Sequence, residues 1–322
     1  MQASPIVLTT LAGLSTGLGG ALAALAKPSE TMLAASAGFA GGVMLTASLA
    51  DLMPEALEFY SGYLQPLPCG GAIVTLLALG MLTAGLLGRL LPEETELAAK
   101  YGQNTARTKA MRTALITGTA LLLHNFPEGV LTLFAGTADP ALGLRTALAI
   151  ALHNIPEGLA VAVPFAYATN SRAKGALAAL VSGLAEPAGA LVALFLFRSL
   201  FTPGFLTGTM VLVAGIMIWV ALAQLLPTAF APAHRLPGIL GAAAGCLLML
   251  LGIAALPEMC YTILCSNIGK GGRHRRNRQN KNWRWPWSFR PSSSPGAAAT
   301  GMWRPCCGHR SCRGRAARCK RR

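Results

Sequence analysis

Eight stretches of about twenty apolar residues follow one another along this chain, and that succession leaves few folds open. An apolar run of about 20 residues is the length at which a helix crosses a hydrocarbon core of roughly 30 Å. A helix also satisfies its own backbone groups there, which an isolated strand cannot do. The stretches are 5–26, 32–53, 69–91, 114–134, 147–168, about 174–197, 206–226 and 236–256. The expectation is an all-α, multi-pass membrane protein of about eight transmembrane helices. The N-terminus lacks a basic region before its first apolar run, so that run is read as a span and not as a cleaved signal.

Within spans four and five one short pattern occurs twice. His124-Asn125-Phe126-Pro127-Glu128-Gly129 returns 29 positions later as His153-Asn154-Ile155-Pro156-Glu157-Gly158, with five of six residues identical. A charged side chain at the bilayer centre costs about 2.5–3.5 kcal/mol even on the lenient insertion scale, so two imidazoles and two carboxylates need a reason to be there. On a helix His124, Asn125 and Glu128 share a face, as do His153, Asn154 and Glu157. The proline of each copy removes a helix hydrogen bond and frees the carbonyls of Leu123 and Leu152, which predicts a kinked turn. Span six adds a third acid beside a third proline, in Ser182-Gly183-Leu184-Ala185-Glu186-Pro187. Two such turns facing each other make a divalent-metal site of mixed nitrogen and oxygen ligands.

Other readings of these residues exist. Polar side chains glue membrane helices together for about 0.6 kcal/mol apiece. Glue explains a lone asparagine but not an acid and an imidazole on one face twice over. A proton relay explains the ionisable groups but not the paired asparagines, which do not titrate and do ligate. A metallohydrolase needs a base beside its metal, as in H-E-x-x-H, and that pattern is absent, so no enzymatic activity is expected. A metal- or proton-conducting channel built on the same residues is the alternative from another class. Clustered carboxylates hold at least one proton when empty, so a dication binds more strongly as pH rises.

The formal charge of +15 is unevenly placed. Residues 1–265 carry 11 Lys/Arg and 12 Asp/Glu, whereas residues 266–322 carry 16 Lys/Arg and no acid. The expected division is a transport domain over residues 1–262 and a basic, cysteine-containing tail over 263–322. Cys69, Cys246, Cys260 and Cys265 have no metal-ligand spacing. In the tail, arginines with Trp283, Trp285 and Trp287 are compatible with anionic lipid or nucleic acid, and Cys306, Cys307, His309, Cys312 and Cys319 fit no standard zinc pattern. Composition favours disorder or a shifted reading frame. No function is assigned to the tail, and nucleic acid is not an expected partner.

Basic residues in the connections set orientation. Lys27, Arg89, Lys100, Arg107, Lys109, Arg112, Arg172, Lys174 and Arg235 fall on one side, and only Arg145 and Arg198 on the other. The first side is therefore expected in the cytoplasm, with both termini outside.

The repeated motif, its extension Leu159-Ala160-Val161-Ala162 and Ser182-Gly183-Leu184-Ala185-Glu186 resemble those of the ZIP family of divalent-metal transporters, over about residues 5–256. The resemblance implies eight helices, metal moving into the cytoplasm across the plasma membrane (the inner membrane of a bacterium), and a paired metal centre. By motif position Glu128 and Glu157 bridge two ions. His153, with His124 near the entrance, serves a zinc-type site, and Asn125, Asn154 and Glu186 complete an iron-type one. The implied cargo is Zn²⁺, with Fe²⁺, Mn²⁺, Co²⁺ and Cd²⁺ as further candidates and no resident cofactor. Membrane lipids are the expected surroundings, and a homodimer is one expectation for assembly. Asp51, before Pro54, matches a family acid and also reads as a plain helix-end acid. In span seven the family's acidic pair is replaced by Ala223 and Gln224, which puts an exit-side ligand in doubt. The third connection, 92–112, lacks the histidines common there in the family. No ATP-binding loop is present, so an ion gradient or the membrane potential must supply the energy.

Overall fold

The computed structural model describes residues 4–101, 105–195 and 202–255, all of them in helices or short connections. The tail 263–322, with Cys260, Cys265 and Arg198, lies outside the described residues. The helices in chain order are α1 (Pro5–Ala23), α2 (Glu30–Thr46), α3 (Met53–Ser61), α4 (Pro66–Leu90), α5 (Glu94–Tyr101), α6 (Thr105–Ala138), α7 (Pro140–Thr169), α8 (Arg172–Gly183), α9 (Ala185–Phe195), α10 (Pro203–Val220), α11 (Leu226–Ala229) and α12 (Arg235–Ala255).

Among the described residues, seven helical segments are long and apolar enough to cross a membrane. The eighth expected span lies in α6, whose 34 residues reach about 50 Å. Its length suffices; His124, Asn125, Pro127 and Glu128 keep its hydropathy down. The sequence assigns 92–112 to a polar connection, yet most of it is helical, as α5 and the first turns of α6. Polar composition marks where a helix leaves lipid, not where it ends.

Two prolines are absorbed by widened turns. Ala47–Leu52, between α2 and α3, and Ala221–Leu225, between α10 and α11, are π-helical. Met53 N–H donates to Ser48 and Leu226 N–H to Ala221, each five residues back. Pro54 and Pro227 follow directly and cannot donate, so the local shift to a five-residue bond carries the chain past them. Spans two and seven therefore run on without a break. Span six does break, at Leu184 between α8 and α9, three residues before Pro187.

The connection between α6 and α7 is the single residue Asp139, whose Oδ1 accepts from the N–H groups of Ala141 (2.8 Å) and Leu142 (3.0 Å). Pro140 at the first helical position needs no donor there. His124 stands fifteen residues before this turn and His153 fourteen after it. At 1.5 Å per residue both lie about 21–22 Å from it, at equal depth on antiparallel helices. The 29-residue repeat and the position of one capping aspartate together bring the two motifs face to face.

Around this hairpin the helices pair in a repeating way. α1 packs on α7 and α9 on α6, while α2 packs along α12 and α10 along α4. Exchanging spans one to three for six to eight, and four for five, maps these pairs onto one another. Each exchanged span runs in the opposite direction, so the arrangement is an inverted repeat of the kind that places binding sites near mid-membrane. Glycines hold the pairs at backbone contact, and added methyl groups at Gly38, Gly42, Gly241 and Gly245 would strike backbone across the α2–α12 pair. The core between the two groups is built of small and aliphatic side chains, including Val43, Met44, Leu121, Val161, Val220 and Leu225. Leu67, Val74, Leu82 and Leu90 of α4 and Leu240 and Leu247 of α12 are exposed, as lipid-facing positions are.

Candidate metal centre

The α6–α7 hairpin sets four ionisable side chains in a row. His153 Nε2 lies 3.0 Å from Glu128 Oε1, which lies 3.1 Å from His124 Nε2, which in turn lies 3.3 Å from Glu157 Oε1. The imidazole rings are tilted 50° with centroids 6.2 Å apart. None of the four is more than 8% exposed. His124, Glu128 and His153 present ligand atoms all within 4.8 Å of one another, close enough to hold one metal ion.

Neighbouring ligands around a zinc ion, each about 2.0–2.2 Å from it, stand roughly 3.0–3.4 Å apart in octahedral or tetrahedral geometry. The spacings of the row fall in that interval. A hydrogen bond would give similar distances, and His153 makes one to Glu128. His124 Nε2 makes none, although two carboxylate oxygens stand within 3.3 Å of it. A ring nitrogen placed between two carboxylates without hydrogen-bond geometry suits a shared cation.

The second part of the centre is built by neighbouring helices. Asn154 donates through Nδ2 both to the Ala12 carbonyl of α1 (3.1 Å) and to Glu186 Oε1 of α9. Asn125 donates to the Ser182 carbonyl (3.2 Å). That carbonyl lies at the α8–α9 break, so the interruption of span six supplies an acceptor and turns Glu186 inward in the first turn of α9. Asn125, Asn154, Glu157 and Glu186 are completely buried. Six oxygens of the cluster have no donor among the described residues: Oδ1 of Asn125 and Asn154, Oε2 of Glu128 and Glu186, and both of Glu157. A buried acceptor left without a partner costs about 1–3 kcal/mol, more when charged. A divalent cation satisfies several of them at once.

All seven residues singled out by sequence thus lie in one buried cluster. Asp51 sits in the π-helical turn of span two, half-buried and within electrostatic reach of His153 and Glu128. Ala223 and Gln224 are elsewhere, on the wall of a separate cavity. Sequence reasoning missed the carbonyls of Ala12 and Ser182, which carry no side-chain signature. It also missed the role of the glycine closing each motif. A methyl group on Gly158 would overlap the Thr16 carbonyl of α1, and one on Gly129 the Glu186 carbonyl of α9. That invariant feature of both copies was the available signal.

A polytopic helical bundle with a buried cluster of imidazole, carboxylate and amide along the α6–α7 hairpin has the makings of a metal-handling membrane protein. Its sequence matches the family described as ZIP zinc transporter over residues 90–253. It is 39% identical over 253 residues to a protein named zinc transporter ZupT of Corynebacterium efficiens, covering 76% of this chain and 94% of that one. Like-named proteins of Chlorobaculum parvum and Akkermansia muciniphila are 40% identical over 232 residues and 38% over 258. These cover 69% and 76% of this chain, and 86% and 94% of the relatives. The chain belongs to the ZIP zinc transporter family.

Proposed function

We propose that this protein is a ZupT-like carrier that moves zinc, and with it Fe²⁺, Mn²⁺, Co²⁺ and Cd²⁺, across the plasma membrane into the cytoplasm. The row His153–Glu128–His124–Glu157 carries this reading, because it lines up two imidazoles and two carboxylates at 3.0–3.3 Å spacings in the buried interior of the bundle. The name of the relatives supports zinc. Imidazole and carboxylate without thiolate are borderline ligands, which supports the wider range of metals. Residues 1–262 form the transporting part in this reading. Glu128 and Glu157 bridge two ions, the histidines belonging to the zinc-type position and Asn125, Asn154 and Glu186 to the second.

A carrier must present its site to each side in turn. Close glycine contacts join α1 to α7 and α9 to α6, and the asparagine bonds join α6 and α7 to α8 and α1. The body that carries the metal is therefore spans one, four, five and six, more than the hairpin alone. It moves against α2, α4, α10 and α12, with aliphatic side chains such as Val161, Leu121 and Val220 packed between the two. Saturable ⁶⁵Zn²⁺ uptake into liposomes holding the purified chain, without ohmic current, is the expected result. A zinc current linear in voltage would replace the carrier by a channel.

Asn154→Ala removes the amide that joins α1 to Glu186. The expected outcome is that Fe²⁺ and Mn²⁺ lose roughly tenfold or more of their ability to compete with zinc, on the scale of metal-site neighbours, while zinc uptake falls less. Equal losses for all metals would refute two unlike positions.

A further inference from the structure

Threonine inside a helix commonly returns its hydroxyl hydrogen to a carbonyl three or four residues back. Thr9, Thr119, Thr137 and Thr169 do so, at 2.8–3.0 Å. Thr16, Thr117, Thr132 and Thr146 do not. All four are at most 2% exposed, and their hydroxyls have no partner among the described residues. Buried polar groups are as a rule bonded, so a hydroxyl that forgoes the carbonyl of its own helix needs an explanation. Thr16 lies where α1 crosses α7, at Gly158. The other three lie on the two helices of the hairpin that carries the metal ligands.

Thr132 stands seven residues before Asp139 and Thr146 seven after it. On the antiparallel helices of the hairpin they share one depth, about 10 Å from the turn. Thr132 is four residues beyond Glu128 and seven beyond Asn125, and Thr146 is seven before His153, so each lies on the ligand-bearing face of its helix. The pair is therefore about 6 Å along the axis from Glu128, on the side that the basic connections assign to the exterior. Just outward of it the hairpin closes, since a methyl group on Gly143 would strike the backbone of Gly136. Asp51, half-buried on span two and within electrostatic reach of Glu128 and His153, marks the side from which a cation reaches them. The 29-residue repeat extends to these positions. Thr117 is seven residues before His124, as Thr146 is before His153. Because the two helices run in opposite directions, Thr117 lies at the other end of the row, about 6 Å beyond Glu157. Each end of the row of ligands is thus followed by a buried, unbonded hydroxyl.

We propose that the hydroxyl oxygens of Thr132 and Thr146 take the place of hydration water as the divalent cation passes from the exterior to Glu128. The proposal rests on the reading of the central cluster as the transport site. A dication that enters a dry interior loses its water at great cost unless other oxygens replace it. A threonine hydroxyl offers two lone pairs to the ion and a hydrogen to the waters still bound to it. Being neutral, the two hydroxyls do not compete with the carboxylates for the ion at rest. They act on the barrier to entry and so on the rate of uptake, not on the final affinity. A packing role would be filled better by valine, which has the same shape and leaves no polar group unbonded.

The test compares the purified full chain as wild type, Thr132→Val/Thr146→Val, Thr132→Ser/Thr146→Ser and Thr119→Val. Initial ⁶⁵Zn²⁺ uptake is read in liposomes, and equilibrium dialysis against Zn²⁺ and the thermal midpoint in detergent. The valine pair is expected to take up zinc roughly tenfold more slowly at sub-saturating concentration, on the scale of groups that support a metal site. Its equilibrium binding is expected to match wild type, which also shows that it is folded, and its midpoint to be unchanged or higher. The serine pair is expected to keep most of the uptake. Thr119→Val, which loses a hydroxyl bonded within its own helix, is expected to keep all of it. Wild-type uptake by the valine pair overturns the proposal. An equal loss in the serine pair also overturns it, because the effect then belongs to the methyl groups. So does a loss of equilibrium affinity that matches the loss of uptake, because the threonines then shape the cluster itself. Failure of the cluster reading shows separately, as tight zinc binding that survives Glu128→Ala/Glu157→Ala.

Discussion

Metal-starved cells expressing Glu128→Ala/Glu157→Ala are expected to accumulate zinc no faster than cells without the transporter. Glu128 is the centre of the row, in contact with both His124 and His153. Glu157 is its counterpart in the second motif, in contact with His124 and with two oxygens that no donor satisfies. Removing both leaves two imidazoles and Glu186, which is tied to Asn154 and lies on another helix. A single imidazole pair without a neutralising acid cannot take a dication from water at this depth, because the hydration of the ion is lost and nothing negative replaces it. Removing two buried acids does not create a new buried charge, so the variant is expected to insert and fold, and its amount in the membrane is the control. Single replacements are expected to be milder, Glu128→Ala more severe than Glu186→Ala. If the double variant is present at wild-type level and still transports at the wild-type rate, the motifs are packing elements and the site lies elsewhere.

Much of this was legible in advance for a physical reason. Lipid allows few architectures, so apolar run length pointed to a multi-pass helical bundle, and a charged side chain inside an apolar span is costly enough to single itself out. His124, Asn125, Glu128, His153, Asn154, Glu157 and Glu186 were singled out by that rule together with the repeat and the family resemblance, and all of them are buried. The illegible parts involve backbone. The prolines at 127 and 156 lie within continuous helices, and the one full break in a span among the described residues falls at Leu184, where the sequence gives no separate sign of it. The widened turns at Ala47–Leu52 and Ala221–Leu225 leave no trace in a hydropathy pattern, since one extra residue shifts a helical face without changing composition. The carbonyls of Ala12 and Ser182 are available to any sequence; only packing decides which are used. Span three ends where the sequence puts it, at Leu90–Leu91, whereas α6 begins at Thr105, ahead of the apolar run at 114, because polarity reports where a helix leaves lipid and not where it starts.

The glycines that end the two motifs should prove almost as sensitive as the acids. Gly129 touches the backbone of Glu186 itself, and Gly189 of α9 meets the backbone of Phe126 in return. Gly158 and Gly19 make the corresponding reciprocal contact between α7 and α1. Each methyl group added here would press on backbone, which cannot rotate away as a side chain can, so the helices must separate. Overpacking of this kind costs about 1–3 kcal/mol, and small residues at such crossings are what allow membrane helices to approach. The effect on function should exceed the effect on stability. Separating α9 from α6 moves Glu186 away from Glu128, and separating α1 from α7 breaks the Asn154 bond to Ala12. Gly129→Ala and Gly158→Ala are therefore expected to lower the thermal midpoint by several degrees in detergent and zinc uptake by about tenfold or more, since small displacements of metal ligands are amplified in affinity. Gly118→Ala on the same α6 is the matched control: its methyl group would stand 3.5 Å from Val161, an ordinary contact. Alanine is also favoured over glycine within a helix by about 1 kcal/mol, so that variant should be as stable as wild type or more so, and as active. Wild-type uptake by Gly129→Ala at a lowered midpoint would show that the close approach stabilises the bundle without setting the geometry of the metal site.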